Sequence, residues 1–344
     1  MLNAIKTELR LRKGEIIDEI NTIYFGGGTP SLLSNHEIQE ILDVIRENYR
    51  LGDSPEITLE ANPDDLNNTN IIELAESAVN RLSIGIQSFF DTDLKYMNRA
   101  HDQKQAKESL MLTSRYFENI SVDLIYGIPH LNEQRWLDNL KQTFDLGVVH
   151  ISSYALTVEP KTALDHFIRS GKYPPLDESL AKRHFEILQK ETSQRNYIQY
   201  EISNFGLEGY FSKHNSSYWM GDDYLGVGPS AHSYDGQCRS WNISNNTKYI
   251  SSIEKGEFPS EKEKLGVEDR INEAIMTGLR TIWGVSLDRI EKNYGEHYKL
   301  KILQQAQQHL DQETIKMENG HLFITTKGQF LADGISADLF ILKP

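Results

Sequence analysis

Residues 22–31 read Thr22-Ile23-Tyr24-Phe25-Gly26-Gly27-Gly28-Thr29-Pro30-Ser31. A short apolar run, rich in β-branched and aromatic residues, stops abruptly at three glycines and a Thr-Pro step. That is the mark of a buried strand ending in a tight turn. Consecutive glycines let the main chain approach a ligand closely and turn its N–H and C=O groups outward. The pattern is not GxGxxG, and no GK[ST] follows, so neither a dinucleotide fingerprint nor a phosphate loop is indicated. A tight turn alone would account for one glycine. Three at a strand end point to a ligand-contacting loop.

Similar runs follow along the chain: Glu56–Pro63, Arg81–Ser88, Ile120–Pro129, His150–Pro160 and, more weakly, Tyr197–Asn204. Between them lie helical patterns. Ile38, Ile41, Leu42 and Ile45 share one face, followed by Ile71, Ile72 and Leu74, then Leu110 and Leu112. Ser34 with Glu37 three residues on reads as a capping box. Repeated strand–helix units imply a parallel sheet, open or rolled into a barrel, with ligand chemistry at the carboxyl ends of its strands. The opening does not fit this rhythm. Leu2, Ile5 and Leu9 form a helical stripe within Met1–Lys13, so a helix precedes the first strand. Either it is a decoration, or a first strand and its loop are missing from the chain.

The pattern changes near Lys264. Helices over Asp269–Thr281, Leu287–Asn293 and Lys299–Leu310 lead to short strands at Thr314–Met317 and His321–Thr325, and a last helix starts near Thr326. The two strands flank Glu318-Asn319-Gly320, a hairpin-turn signal. Three helices and a hairpin read as a winged-helix-like module. Residues 262–344 hold 11 Lys and Arg against 12 Asp and Glu, so the basic footprint of a DNA reader is absent and a packing role is favoured. The division expected is 1–240 for the barrel and its extension, 241–263 for a linker with Asn245, Asn246, Gly256 and Pro259 as breakers, and 264–344 for the module.

Composition bounds function. The 344 residues carry 50 acids and 36 bases, a net charge of −14, which disfavours nucleic acid or an anionic membrane as partner. No apolar run approaches a membrane span, and Met1–Lys13 lacks the apolar centre of a signal peptide, so a cytoplasmic location is expected. The single cysteine, Cys238, excludes an internal disulfide and a three-thiolate iron–sulfur site made by this chain alone. Isolated as it is, Cys238 reads as inert.

Several residues stand out chemically. Glu60 and Asp123 close apolar strands, where a carboxylate accepts hydrogen bonds from vicinal hydroxyls or acts as a base. Gln87 and Ser88 end a third strand. Arg99 suits a bidentate carboxylate contact, with a surface ion pair as its plainer role. In His214-Asn215-Ser216-Ser217-Tyr218-Trp219, an imidazole and two aromatic rings at helical spacing suit iron ligation and macrocycle stacking, with ordinary packing as the alternative. A second glycine-bearing loop, Gly226–Ser233, contains His232.

Taken together, YFGGGTPSLL (Tyr24–Leu33), LEANPDDL (Leu59–Leu66), RLSIGIQSFFDTDLKYMNRAH (Arg81–His101), VDLIYGIP (Val122–Pro129), YALTVEPKTAL (Tyr154–Leu164), YEISNFG (Tyr200–Gly206), HNSSYW (His214–Trp219) and LGVGPSAHSYDG (Leu225–Gly236) occur in the order of a known family. The chain resembles the radical S-adenosylmethionine (SAM) proteins of the oxygen-independent coproporphyrinogen III oxidase group, and among them the HemW-type heme chaperones. The resemblance implies a partial (β/α)6 TIM-like barrel with SAM at the strand ends. On it, Gly27, Gly28 and Thr29 would line the methionine and adenosine site. Glu60, Gln87, Arg99 and Asp123 would contact SAM, and Ala155 would back the adenine. His214, Tyr218 and Trp219 would handle heme, with His214 on the iron.

The resemblance also implies a 4Fe-4S cluster on a CxxxCxxC loop after the first barrel strand. This sequence has no such loop, which agrees with its orphan opening helix and suggests a chain truncated at its N-terminus. As written, it is not expected to generate a radical from SAM. The functional expectation is a heme chaperone that binds heme and SAM and passes heme to an unidentified acceptor protein. The rivals are a coproporphyrinogen III oxidative decarboxylase and a cluster-free nucleotide-binding barrel.

Overall fold

The computed structural model describes residues 1–342. The opening stripe forms α1 (Leu2–Leu11), and the first motif forms β1 (Ile20–Phe25), which stops at Gly26. Helix α2 (Asn35–Asn48) follows Ser34 directly and buries Ile38, Ile41, Leu42 and Ile45, the stripe seen in the sequence. Then come β2 (Leu51–Ala61), α3 (Asn68–Ala75), β3 (Arg81–Gln87), α4 (Asp91–Tyr96), α5 (Gln103–Thr113), β4 (Ile120–Tyr126), α6 (Glu133–Asp145) and β5 (His150–Ala155). Side-chain caps start these helices where the strands hand over: Asn67 on α3, an Asp102–Gln105 capping box on α5 and Asn132 on α6. Helices α7 (Ala163–Arg169) and α8 (Glu178–Ser193) lead to β6 (Ile198–Glu201) and β7 (Asn204–Gly206).

These strands make one curled seven-stranded sheet, a partial barrel, in the order β1-β2-β3-β4-β5-β7-β6. Strands β2 to β5 pair in parallel. The weak strand expected over Tyr197–Asn204 is a hairpin, with β7 antiparallel to both β5 and β6. The two residues between β6 and β7 are too few for a parallel crossover. The Glu201 carboxylate shapes the turn, accepting from the Ser203 N–H at 2.9 Å and from Asn204 Nδ2 at 2.7 Å.

One face of the parallel strands is apolar and sealed, carried by Leu59, Leu82, Ile84, Val122, Leu124 and Ile151, all fully buried. The alternate positions are polar: Thr58 and Glu60, Arg81 and Ser83, Ser121 and Asp123, Ser152 and Tyr154.

The chain divides into two compact units, one of Ile23–Asn35 and Glu56–Phe211, the other of Met1–Thr22, His36–Pro55 and Ser212–Pro344. In the latter, α9 (Lys213–Met220) precedes β8 (His232–Tyr234), β9 (Cys238–Asn242), α10 (Asn246–Glu254) and β10 (Ser260–Lys264). The three strands form an antiparallel sheet, β10-β9-β8. Residues 241–263, read as the connection between domains, therefore carry α10 and most of β10. The α+β module follows: α11 (Val267–Leu279), β11 (Val285–Ser286), α12 (Leu287–Tyr294), α13 (Glu296–Asp311), β12 (Ile315–Glu318), β13 (His321–Ile324) and α14 (Ala332–Asp338). Its sheet runs β11-β13-β12, with β11 unread in the sequence. Asn319 and Gly320 (φ 49° and 74°) make the hairpin turn, the backbone that an Asn-Gly pair adopts most readily. The module has its own core, including Ile271, Ile275, Leu279, Ile302, Ile315 and Leu322.

Helix α1 is locked into its unit by a buried ion pair. Glu8 and Arg12, 0% and 3% exposed, meet at 2.9 Å. Glu8 also accepts from the Gly228 N–H (2.9 Å), Asn242 Nδ2 (2.9 Å) and the Tyr249 hydroxyl. Arg12 donates to the Gly226 carbonyl (2.8 Å) and Ser233 Oγ (3.1 Å), and its guanidinium lies 4.4 Å from the Phe258 ring centroid.

Candidate functional site

The strand ends bring together much of what the sequence singled out. Glu60, near the end of β2, accepts from the Tyr24 hydroxyl at 2.8 Å and from the Gly27 N–H at 3.2 Å. The first glycine is needed for space: a Cβ on Gly26 would stand 2.6 Å from the Tyr24 ring. Gly27 and Gly28 sit at φ 74° and 71°, where a side chain is strained. Thr29 ends the turn, its carbonyl accepting from the Leu32 N–H at 3.1 Å.

Register carries the polar row across the sheet. Glu60 pairs with Ser83, and Asp123 with Ser152. Ser83 Oγ donates to Asp123 Oδ1 at 3.2 Å, joining the two pairs. Asp123 is pushed up to about 7, first by burial and then by the Glu60 charge, against the pull of Ser83, Arg81 and Ser152. Tyr24 is raised as well, by burial and by Glu60. Among the described residues, no cation lies within ion-pair distance of Glu60 or Asp123.

Gln87 closes β3 in a left-handed conformation (φ 62°), where the register with β4 slips by one residue. Gly85 makes room for it, since a Cβ there would lie 2.9 Å from Gln87 Nε2. Ser88 turns away, donating to Asp93 at 2.7 Å. Arg99 follows α4; its guanidinium feels the Asp123 and Asp64 charges while burial lowers its pKa. Strand parity sets Ala155 with Val122 and Leu124, off the face of Asp123, whereas Tyr154 lies on the polar face and is 46% exposed. Tyr24, Ser83, Ser152 and Tyr154 escaped sequence reading. The two-residue alternation within β3, β4 and β5 is the signal that reveals the last three.

The aromatic segment is helix α9, in the other unit. Ser212 caps it, accepting from the Asn215 N–H at 3.2 Å, and Gly221 (φ 81°) ends it. His214 Nδ1 lies 3.2 Å from Thr22 Oγ1. Tyr218 is one turn further on, 45% exposed, edge-on to Trp219 (centroids 5.5 Å apart) and 5.2 Å from the Tyr224 ring. The Arg280 guanidinium covers Trp219 at 5.2 Å. His232 is exposed, on β8.

The residues do not fit an iron–sulfur cluster. Cys238 is the one cysteine, free on β9, and no group of three or more His, Cys, Asp or Glu side chains is gathered for a metal among the described residues. No described helix is long and apolar enough to cross a membrane.

Comparison with known proteins agrees with this architecture. The model of the Radical SAM superfamily matches residues 2–142, and that of the HemN C-terminal domain residues 265–331. The heme chaperone HemW of Bacillus subtilis (strain 168) is 35% identical over 302 residues, which is 86% of this chain and 79% of that protein. HemW of Lactococcus lactis is 32% identical, over 93% of this chain and 84% of the relative. Coproporphyrinogen III oxidase (HemN) of Escherichia coli, a radical SAM enzyme, superposes with a TM-score of 0.82 over 98% of this chain and 82% of its own, at 20% identity. The chain belongs to the HemN/HemW-type radical SAM family, related to the coproporphyrinogen oxidase-like heme chaperones.

Proposed function

We propose that this protein is a heme chaperone of the HemW type that also holds SAM at the carboxyl ends of its parallel strands. The observation that carries the heme reading is α9. His214 has one ring nitrogen beside the Thr22 hydroxyl, the kind of second partner that orients a metal-bound imidazole. On the same helix, Tyr218 presents an exposed ring and Trp219 a second one set edge-on to it. An imidazole donor and aromatic faces are what a flat iron macrocycle requires. Relatives from Bacillus subtilis and Lactococcus lactis bear the name heme chaperone.

The strand-end row supports the SAM reading. SAM carries a cationic sulfonium and ammonium and a ribose with two hydroxyl donors. Glu60 and Asp123 are acceptors with no cation within ion-pair distance among the described residues, Arg99 suits the methionine carboxylate, and Gly27, Gly28, Thr29 and Gln87 complete the wall, while Ala155, on the other strand face, has only its backbone to offer an adenine. The segment His214–Trp219 favours a carrier over an oxidative decarboxylase, and no radical step is assigned to the described residues, which gather no ligands for a cluster. Heme would pass to an acceptor protein in the cytoplasm.

Titration with hemin tests the reading. His214→Ala should shift the Soret maximum and speed heme loss while SAM affinity stays unchanged. An unaltered heme spectrum with a lower melting temperature would reduce His214 to a packing residue and direct attention to His232.

A further inference from the structure

The α+β module contains a cleft of about 630 Å³ that the preceding reading does not use. Its wall comes from three helix segments: Arg270 on α11, Lys292 and Tyr294 at the end of α12, and His297 and Tyr298 at the start of α13. Its size is that of a small-molecule site. The charge is one-sided. Two permanent cations and an imidazole line the cleft, and no carboxylate does, in a chain of net charge −14.

The acids of the same helices are engaged. Glu268 accepts from the Tyr298 hydroxyl at 2.7 Å, and Asp269 from the Gly266 N–H at 2.9 Å. Asp288 and Glu291 both hold Lys299. Arg270 and Lys292 have no carboxylate within ion-pair distance among the described residues. The Arg270 guanidinium instead lies 5.5 Å from the Tyr294 ring centroid, with Nε directed at the Gly266 carbonyl (3.4 Å). His297 and Tyr298 place their rings 4.1 Å apart. The cleft thus combines separated cations with flat faces.

We propose that this cleft docks the carboxylate edge of a porphyrin-type macrocycle, with Arg270 and Lys292 each taking one carboxylate and the aromatic rings bordering the ring system. Cations paired with carboxylates supply the strongest ordinary hydrogen bonds, and tyrosine faces tolerate a planar ligand at small entropic cost. The inference rests on the reading that the protein handles such macrocycles, and it adds a second contact surface, separate from α9.

The test uses the full chain and iron-free coproporphyrin III, followed by fluorescence. The double variant Arg270→Glu/Lys292→Glu should weaken binding by about tenfold or more, the loss of one to two charge-assisted bonds. Lys292→Ala, at an exposed position that leaves folding intact, should weaken it by about threefold. Unchanged affinity in both cleft variants overturns the assignment, as does equal competition by ATP. Hemin titration of the same variants separates the two readings. If wild type binds hemin and the cleft variants bind both porphyrins normally, the cleft falls and the chaperone reading stands. If wild type binds neither, both fall.

Discussion

Two groups of acid, one buried and one half-buried, differ in a respect that separates scaffold from site. Glu8 is fully enclosed and saturated: a guanidinium, an amide, a backbone N–H and a phenol all point at it. Glu60 and Asp123 share a polar strand face, with hydroxyls and one backbone N–H as hydrogen-bond partners and, among the described residues, no cation within ion-pair distance. A carboxylate whose charge is already matched by the protein has nothing left to offer a ligand. One that is not matched holds binding capacity in reserve, and at Asp123 the folded protein bears the cost as a raised pKa.

The largest expected effect tests the saturated side. Glu8→Ala should cost about 3–5 kcal/mol of stability, because it leaves the Gly228 N–H, Asn242 and Tyr249 without this acceptor and takes from Arg12 one of its two carboxylate partners, only Glu15 remaining at 2.8 Å. Denaturant unfolding measures this, and a loss under about 1 kcal/mol would show that the cluster is not the anchor of α1.

On the unsaturated side the balance reverses. Glu60→Ala and Asp123→Ala should each weaken SAM binding by about 1–3 kcal/mol while costing less stability than Glu8→Ala. Calorimetric titration of both variants decides it. Unchanged affinity in each would move the ligand site away from the strand ends.

The same contrast explains what could be read from sequence. Glu60 and Asp123 were legible because each interrupts an apolar run, and a polar residue there demands a reason. The Asn319-Gly320 turn was legible because its chemistry is local. Alternation could place Ser83 and Ser152 on the polar face, but their link to Glu60 and Asp123 was out of reach, since it depends on register with neighbouring strands. The Glu8 cluster was beyond reach altogether: its partners lie 214 to 241 residues away, and a Glu–Arg pair at i, i+4 looks like any solvated helix face. The β6–β7 hairpin was hidden for a similar reason, because two short strands around a two-residue turn look like one.

The smallest effect concerns how the protein moderates its unmatched charge. Asp123 titrates near 7 in the fold and near 3.9 in an unfolded chain, so the stability it contributes is complete below about pH 4 and is lost as pH rises through 7. The melting temperature of the ligand-free protein should therefore decline across that window, and Asp123→Asn should flatten the decline. Binding of a cationic ligand should follow the opposite course and strengthen as pH rises through 7, since the ionised form attracts it. Ser83 eases the ionised form with one hydroxyl hydrogen bond. Removing it in Ser83→Ala gives up about 0.5–1.5 kcal/mol of that preference, so the titration should move upward by up to about one pH unit. Carbon-detected NMR of the Asp123 carboxyl reads this directly. An unmoved or lowered midpoint would mean that Ser83 does not stabilise the charge, and that the polar row across β2 to β5 is a matter of register without electrostatic consequence.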